Sequence, residues 1–242
     1  SGVGSKKPFA ALVVREVADL QLLDNTQLFP LWTYEEGELG LGEEVVELGG
    51  RRYLRRANID PGALGVEATA EEAFWYAYAV LHSPEYRRRF ADSLRLELPR
   101  LPKPPSREVL LRWAEVGRRL GELHLGYEEL EPWELEPVVA GDPEDPATWR
   151  IRGKMRLGEG ELVVNPAVRL RGIPPEASEY QVAGRSPLEW LVEGYQVRVD
   201  REFGLVDDPN WALGPGEIVG LAGRLVRVAV ESARLIRELG DL

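Results

Sequence analysis

The sequence contains no cysteine, one methionine and only two histidines among 242 residues. Without cysteine the chain can form neither a disulfide nor a zinc–thiolate site, and thiol catalysis is excluded. Its apolar runs stop short of the roughly 18 residues that a membrane-spanning helix needs, and no signal peptide is recognisable. These absences indicate a reducing compartment, so we expect a cytoplasmic location and no membrane partner.

Lysine is scarce as well: of 30 Lys and Arg residues, only Lys6, Lys7, Lys103 and Lys154 are lysines. This preference for arginine, with abundant Glu and Pro, is typical of thermophilic proteins, although a G+C-rich genome favours the same residues. The length suits one large domain or two small ones, with enough apolar residues for a proper core. Because the chain opens with Ser-Gly-Val-Gly-Ser rather than Met, either a tag was removed or the chain is a piece of a longer protein, and we favour the piece.

The net charge of −11 disfavours a nucleic-acid partner at first sight. The acidic residues are concentrated, however: residues 35–48 hold six Glu, residues 126–147 hold eight acidic residues, and neither segment has a basic one. Residues 148–171 instead carry six basic residues against two Glu. A basic face on an acidic protein is therefore possible, and a solvated strand face is the alternative.

Hydrophobic periodicity predicts the α+β class. Residues 9–34 favour β structure, as do short apolar runs after residue 148, so we expect antiparallel β-sheet elements. Residues 58–125 favour a helical sub-domain: Thr69 with Glu72 forms a capping-box pattern, and Ser83 and Ser106 are further helix caps. A long amphipathic helix is predicted to end the chain near residue 239.

We treat residues 1–242 as one domain with possible sub-domains at 9–125 and 148–242. The acidic, proline-containing residues 126–147 would connect them.

The sequence WRIRGKMRL (149–157) has the most regular basic pattern in the chain. If it forms a strand, alternation places Arg150, Arg152, Lys154 and Arg156 on one face of the sheet. We predict that this face contacts DNA, and an exposed face of an antiparallel sheet is the alternative.

A second basic run, residues 51–56, places Arg51, Arg52, Arg55 and Arg56 around Tyr53 and Leu54. It is interpreted as an edge strand with solvated charges, or alternatively as a set of phosphate contacts.

The sequence shows no recognisable catalytic or metal-binding pattern. His82 and His124 have no His or Cys partner nearby in sequence, and the Gly-rich residues 37–42 lack the ending of a phosphate loop. Asp207 and Asp208 could offer oxygen ligands to a metal, but Asp-Asp-Pro-Asn is more often a turn. We therefore predict no catalytic residue, no metal site and no cofactor within this chain.

Residues 180–211, YQVAGRSPLEWLVEGYQVRVDREFGLVDDPNW, are the most distinctive stretch. A turn is predicted to open a short Leu/Trp helix that leads into a strand and a closing turn. With the earlier LFPLWTY, LHSPEYRRRFADSL, LPRLPKP, LGELHLGYE, KMRL and VVNPAVRLRGIP, taken in order, it resembles the C-terminal target-recognition region of Type ISP restriction–modification enzymes. The resemblance spans residues 28–239. It departs at Gly194, where the family commonly has a basic residue, and in the closing turn.

The resemblance implies a specificity domain that directs adenine methylation and cleavage performed elsewhere in a single polypeptide. S-adenosylmethionine, ATP and Mg²⁺ would serve the other domains, so this fragment is not expected to be an enzyme. The implied partners are double-stranded DNA and the methyltransferase and motor domains of the same polypeptide. The alternative is a protein-interaction module that docks on those domains with little DNA contact. To the basic residues above we add Arg185, Tyr195, Gln196 and Arg198 as DNA contacts, because Arg and Gln are side chains that read base edges or bind phosphates.

Overall fold

The structure, a computed structural model, describes residues 4–19, 22–36 and 44–240. Two compact units can be distinguished, Ser1–Glu122 with Glu238–Leu242, and Leu123–Arg237. Both combine helices with antiparallel sheet, which confirms the predicted α+β class. None of the helices in the described ranges is both long and apolar enough to cross a bilayer.

The sheet of the first unit has three antiparallel strands in the order β1-β3-β2. They are β1 (Trp32–Glu36), β2 (Glu44–Leu48) and β3 (Arg51–Ala57). The turn between β2 and β3 is Gly49–Gly50, with φ of 57° and 76°, which suits the left-handed geometry of a tight hairpin. The Gly-rich residues 37–42 lie outside the described residues.

Two predictions for this sheet need correction. Of residues 9–34, predicted as β structure, those from Trp32 onward form β1, whereas residues 9–19 and 22–31 form no strand, because a β-prone sequence still needs a neighbouring strand to pair with. The segment 51–56 is the central strand rather than an edge, because β1 and β2 pair with it on either side.

The helices of this unit begin where their caps predict. Thr69 Oγ1 accepts from Glu72 N at 3.1 Å, and the Glu72 carboxylate accepts from Thr69 N at 2.8 Å, so a complete capping box starts α1 (Ala70–His82). Ser83 caps α2 (Pro84–Arg89), and α3 (Ser93–Leu96) follows. After the proline-rich connector, Ser106 Oγ accepts from Val109 N at 3.2 Å at the start of α4 (Arg107–Leu125).

Helices α1 and α4 pack closely at two glycines of α4, Gly117 and Gly121. A Cβ placed on Gly117 would lie only 2.0 Å from the Trp75 carbonyl oxygen, and one on Gly121 only 2.3 Å from the Trp75 ring. The fully buried Trp113 of α4 lies beside Tyr76 of α1 with ring centroids 6.2 Å apart. The core of this unit therefore depends on two positions without a side chain.

The second unit contains a four-stranded antiparallel sheet in the order β4-β7-β6-β5. Its strands are β4 (Glu136–Val139), β5 (Arg156–Leu157), β6 (Glu161–Asn165) and β7 (Val168–Arg171). The apolar run ELVVNPAVRL, residues 161–170, turns back after Asn165 and forms the β6–β7 hairpin. The acidic residues 126–147 contribute β4 to the sheet, and the division into sub-domains at 9–125 and 148–242 stays a prediction.

Three further elements complete this unit: α5 (Pro187–Gly194), the hairpin of β8 (Arg198–Asp200) with β9 (Leu205–Asp207), and α6 (Glu217–Arg237). The core joins Leu162 and Leu170 of the sheet to Leu188 of α5 and to Ala222 and Val226 of α6. Alternating apolar residues of β6 and β7 therefore face the two helices, as a sheet with one covered side requires.

Candidate nucleic-acid interface

We call residues 149–157, predicted as a basic strand, the basic segment. It is not a strand over most of its length. Only its last two residues pair, as β5 with β6. Burial does alternate: Ile151 and Met155 are buried in the core, whereas Arg150 and Arg152 are exposed. Exposure therefore alternates as the sequence pattern predicts, whereas the strand pairing that the pattern also predicts is found only at Arg156 and Leu157 among the described residues.

The backbone of this segment is bound by a buried side-chain amide from the β6–β7 hairpin. Asn165 Nδ2 donates to the carbonyl oxygens of Thr148 at 2.8 Å and of Arg150 at 2.9 Å. Its Oδ1 accepts from Ala167 N at 2.7 Å and from Val168 N at 2.9 Å. Four hydrogen bonds satisfy the amide, and the segment needs no neighbouring strand at this point.

A second amide binds the next residue. Asn210 Oδ1 accepts from Ile151 N at 2.8 Å, and Asn210 Nδ2 donates to Ile151 O at 2.8 Å. Asn210 is itself held by Asp208, whose Oδ1 accepts from the Asn210 backbone N at 2.9 Å. The Asp-Pro-Asn turn therefore supports the basic segment.

Glu193, near the end of α5, gathers several of the predicted contact residues. Its carboxylate accepts from Lys154 Nζ at 3.0 Å and lies 3.5 Å from Arg198 Nη2. Its backbone oxygen accepts from Gln196 Nε2 at 2.8 Å and from Arg198 Nη2 at 2.6 Å. The structure thus brings Lys154, Gln196 and Arg198 together at one helix end.

Neighbouring hydrogen-bond donors and cations lower the pKa of two carboxylates here, Glu193 and Asp208. The hydrogen bond and charge of Lys154, and more weakly the charges of Arg185 and Arg198, hold the pKa of Glu193 below its ordinary value. The pKa of Asp208 is also lowered, first by its hydrogen bonds from Asn210 and then by Arg150, whose Nη2 lies 3.1 Å away. Both carboxylates are therefore ionised at neutral pH and offset part of the positive charge nearby.

Arg185 lies on an aromatic side chain rather than on a carboxylate. Its guanidinium is 5.1 Å from the centre of the Trp190 ring, and Trp190 Nε1 donates to Val182 O at 2.9 Å. Ser186, the next residue, caps α5 in a complete capping box with Glu189. Tyr195, at the other end of α5, packs against the core of the second unit, so its ring has a structural role as well.

The charged residues among the predicted contacts of this unit therefore fall into two groups. Arg150, Lys154 and Arg198, each about half exposed, are paired with the partly buried carboxylates of Asp208 and Glu193. Arg152, Arg156 and Arg185 are exposed and form no ion pair with any side chain in the described part of the chain; Arg152 Nη2 donates to Ala147 O at 3.2 Å.

In the first unit, three of the four predicted arginines of β3 are paired with Glu of the neighbouring strands: Arg51 with Glu36, Arg55 with Glu44 and Arg56 with Glu35. Arg52 is exposed and has no ion pair with a described residue. A role of these arginines in DNA contact stays a prediction.

Asn165, Asn210 and Glu193 were not predicted from the sequence. The first two stand in VVNPAVRL and DDPNW, both of which were recognised as motifs, but the sequence carries no sign of what an Asn side chain binds. Asp208 acts in a turn with Asn210, and among the described residues no three His, Asp or Glu side chains gather as metal ligands would. His124 Nε2 lies 2.8 Å from Ser232 Oγ.

Residues 1–219 match the model of the Type ISP C-terminal specificity domain family. A comparison with curated proteins finds no match. The solved structures that contain a region similar to this chain include three with DNA or a DNA substrate mimic. The first is the ATP-dependent Type ISP restriction-modification enzyme LlaBIII bound to DNA, with 25% identity and a TM-score of 0.81 over 100% of this chain.

The second is a nuclease-deletion mutant of the Type ISP enzyme LlaGI in complex with a DNA substrate mimic, with 28% identity and a TM-score of 0.69 over 100% of this chain. The third is a cryoEM structure of a DrdV–DNA complex, with 28% identity and a TM-score of 0.74 over 98% of this chain. This chain spans 16%, 20% and 24% of those three polypeptides, in that order.

Proposed function

The chain belongs to the Type ISP C-terminal specificity domain family, and from that premise we propose that it recognises a specific sequence of double-stranded DNA for a larger restriction–modification polypeptide. The observation that carries the proposal is the fit of the whole chain to a region of LlaBIII, an enzyme solved bound to DNA. LlaGI, solved with a DNA substrate mimic, and DrdV, solved with DNA, support it further.

The contacts around the basic segment suit this function. Arg152, Arg156 and Arg185 have no carboxylate to give up among the described residues, so their guanidinium groups are available to phosphates or to guanine. Arg150, Lys154 and Arg198 are themselves about half exposed, and each would give up its pair with Asp208 or Glu193 to bind a phosphate. Phosphate contacts set the position of the domain on the duplex, and base-edge contacts by a subset of the arginines specify the sequence.

Asn165 and Asn210 would hold the arginines of this surface in fixed positions. Both bind the backbone that carries Arg150 and Arg152, so the arginines project from a fixed main chain rather than from a mobile loop. Preorganised side chains lose less conformational entropy on binding, which raises both affinity and discrimination.

The nuclease, ATPase motor and adenine methyltransferase, with their ATP, Mg²⁺ and S-adenosylmethionine, would belong to other domains of the polypeptide, in the cytoplasm. This chain would determine which DNA sequence the polypeptide acts on, and it would perform no bond-breaking step itself.

The test is selection from a pool of randomised duplexes, followed by affinity measurements on the selected and a scrambled duplex across a salt series. We expect a common sequence to emerge and the affinity for both duplexes to fall as salt rises, with the selected duplex bound more tightly at every salt concentration. No enriched sequence together with a flat salt response would contradict the proposal. Methylation mapping of the source genome would give the recognised sequence independently.

A further inference from the structure

The hairpin of β8 with β9 exposes apolar side chains to an unusual extent. Val199 and Val206, paired across the hairpin, are 60% and 43% exposed, and Leu205 is 66% exposed. Phe203 in the turn is 71% exposed and Trp211, just after the hairpin, 75%. We call these five side chains the ribbon surface. Val199 and Val206 lie on one face of the hairpin and Leu205 on the other, because successive side chains of a strand point to opposite faces. Five exposed apolar residues within 13 positions, on both faces of one hairpin, are a concentration of the kind that marks an interaction site.

The hairpin is too short to be stable by its own strand pairing. Each strand has three residues, and in the described part of the chain each pairs only with the other. A lone two-stranded hairpin is at best marginally stable in water. Its turn is nevertheless ordered, because Asp200 Oδ1 accepts from Glu202 N at 2.9 Å and from Phe203 N at 3.1 Å, and Gly204 adopts a φ of 67°. A preorganised turn on a marginal hairpin indicates a hairpin completed by a partner.

The charge of the ribbon argues for protein rather than DNA as that partner. Residues 198–207 contain two Arg against three acidic residues, and Arg198, the proposed DNA contact, stands at the start of β8 and is not part of the ribbon surface. Surfaces that bind DNA are strongly positive. The centre of a protein–protein interface is instead poor in charge and rich in aromatic residues, as Phe203 and Trp211 are here.

The outer edges of the hairpin define the form of the contact. Neither β8 nor β9 has a second neighbouring strand in the described residues, so backbone N–H and C=O groups face outward on both sides. An extended segment or strand edge of a partner can pair with such an edge, while its apolar side chains cover the ribbon surface.

We propose that the ribbon surface docks on a strand edge bordered by apolar side chains in another domain of the same polypeptide. This proposal rests on the proposed function only because it requires further domains in the polypeptide. The similar solved polypeptides, of which this chain spans 16% to 24%, are long enough to hold such domains. Covalent linkage gives the contact a high effective concentration, so a small surface is enough.

The first test is hydrogen–deuterium exchange of the amides of residues 198–207, compared between the complete polypeptide and this 242-residue chain, both free of DNA. We expect exchange to slow about tenfold or more in the complete polypeptide, because docking closes an otherwise open hairpin edge. Equal exchange in the two proteins would overturn the proposal. Protection that appears only after duplex is added would assign the ribbon surface to DNA instead.

Variants separate docking from folding. The double variant Phe203→Ser with Leu205→Thr is expected to abolish the added protection in the complete polypeptide and to leave the melting temperature of the isolated chain unchanged. The matched control, Phe29→Ser with Leu96→Thr, removes an equally exposed pair, 63% and 76%, from the first unit and is expected to leave the protection intact. Protection that survives the ribbon variant would refute the docking surface.

The two proposals can fail independently. If the duplex selection yields no preferred sequence, DNA recognition is refuted, and the protection of the ribbon surface in DNA-free protein can still be observed. Conversely, an unprotected ribbon in a polypeptide that still selects one DNA sequence would refute only the docking surface.

Discussion

The side-chain amide of Asn210 pairs with the backbone of Ile151 in both directions, with two hydrogen bonds of 2.8 Å. This is the exchange that a neighbouring β-strand would make with one residue, made here by a side chain 59 positions away. The pairing fixes the main chain between Arg150 and Arg152. Asn210 is therefore expected to control the orientation of arginines that it does not touch.

Asn210→Asp is predicted to destabilise the chain by about 1–3 kcal/mol, the usual penalty for leaving a half-buried polar group unsatisfied. The substitution keeps the oxygen that accepts from Ile151 N but removes the donor to Ile151 O, and it places a carboxylate beside Asp208. Equilibrium unfolding in urea measures the free energy, and duplex binding is expected to weaken in parallel.

The control is Asn25→Asp, which makes the same change of charge at an exposed residue of the first unit. We expect the free energy of unfolding of that variant to stay within about 0.5 kcal/mol of the parent chain. Equal effects at the two positions would show that the added charge, not the lost pairing, is responsible.

Much of the fold could be predicted from the sequence because its signals are local. The Thr69–Glu72 capping box, the caps at Ser83 and Ser106, and the apolar face of α6 each depend on residues within a few positions of one another. The capping box at Ser186 likewise fixes the start of α5 within the most distinctive stretch of the sequence.

The basic segment could be predicted only in part. Alternation correctly indicated that Ile151 and Met155 are buried and that the cations are exposed, because side-chain partition follows residue type. It could not reveal that Asn165 and Asn210 replace a strand partner, since that depends on contacts across the fold. It also could not show that Lys154 and Arg198 share Glu193, because any of many carboxylates could have been nearest.

Gly117→Ala is predicted to destabilise the chain by about 2 kcal/mol or more, although alanine is the better helix former. The new Cβ would lie 2.0 Å from the Trp75 carbonyl oxygen, a backbone atom that can move only with α1. Thermal unfolding checks the effect. The matched control is Gly220→Ala in α6, where the nearest atom is the end of Arg224 at 3.8 Å; it is expected to be neutral or to stabilise by up to about 1 kcal/mol. Similar shifts for both glycines would contradict the close approach of α1 and α4.

Asp208→Asn is predicted to lower stability at neutral pH and to lose that effect in acid. Asn210 and Arg150 lower the pKa of Asp208 in the folded chain. As the pH falls, the unfolded chain therefore binds more protons than the folded chain does. The stabilisation by the carboxylate is therefore complete above its ordinary pKa and disappears as the pH falls through the lowered value. Melting temperatures of the two proteins, measured from about pH 7 down to about pH 3, are expected to converge. A difference that stays constant over this range would show that the carboxylate charge is unimportant here.

Arg152→Glu with Arg156→Glu is predicted to weaken duplex binding by about tenfold or more and to reduce the dependence of affinity on salt by about two counterions. Both arginines are exposed and form no ion pair with a described residue, so their loss leaves no carboxylate unpaired and the melting temperature is expected to stay unchanged. The control, Arg95→Glu with Arg112→Glu, makes the same change of net charge at exposed positions of the first unit. If binding responds to net charge alone, the two double variants weaken it equally and keep similar salt slopes. If the basic segment contacts phosphates, only the first changes the slope, and a loss confined to the selected duplex would further indicate that one of its arginines reads a base.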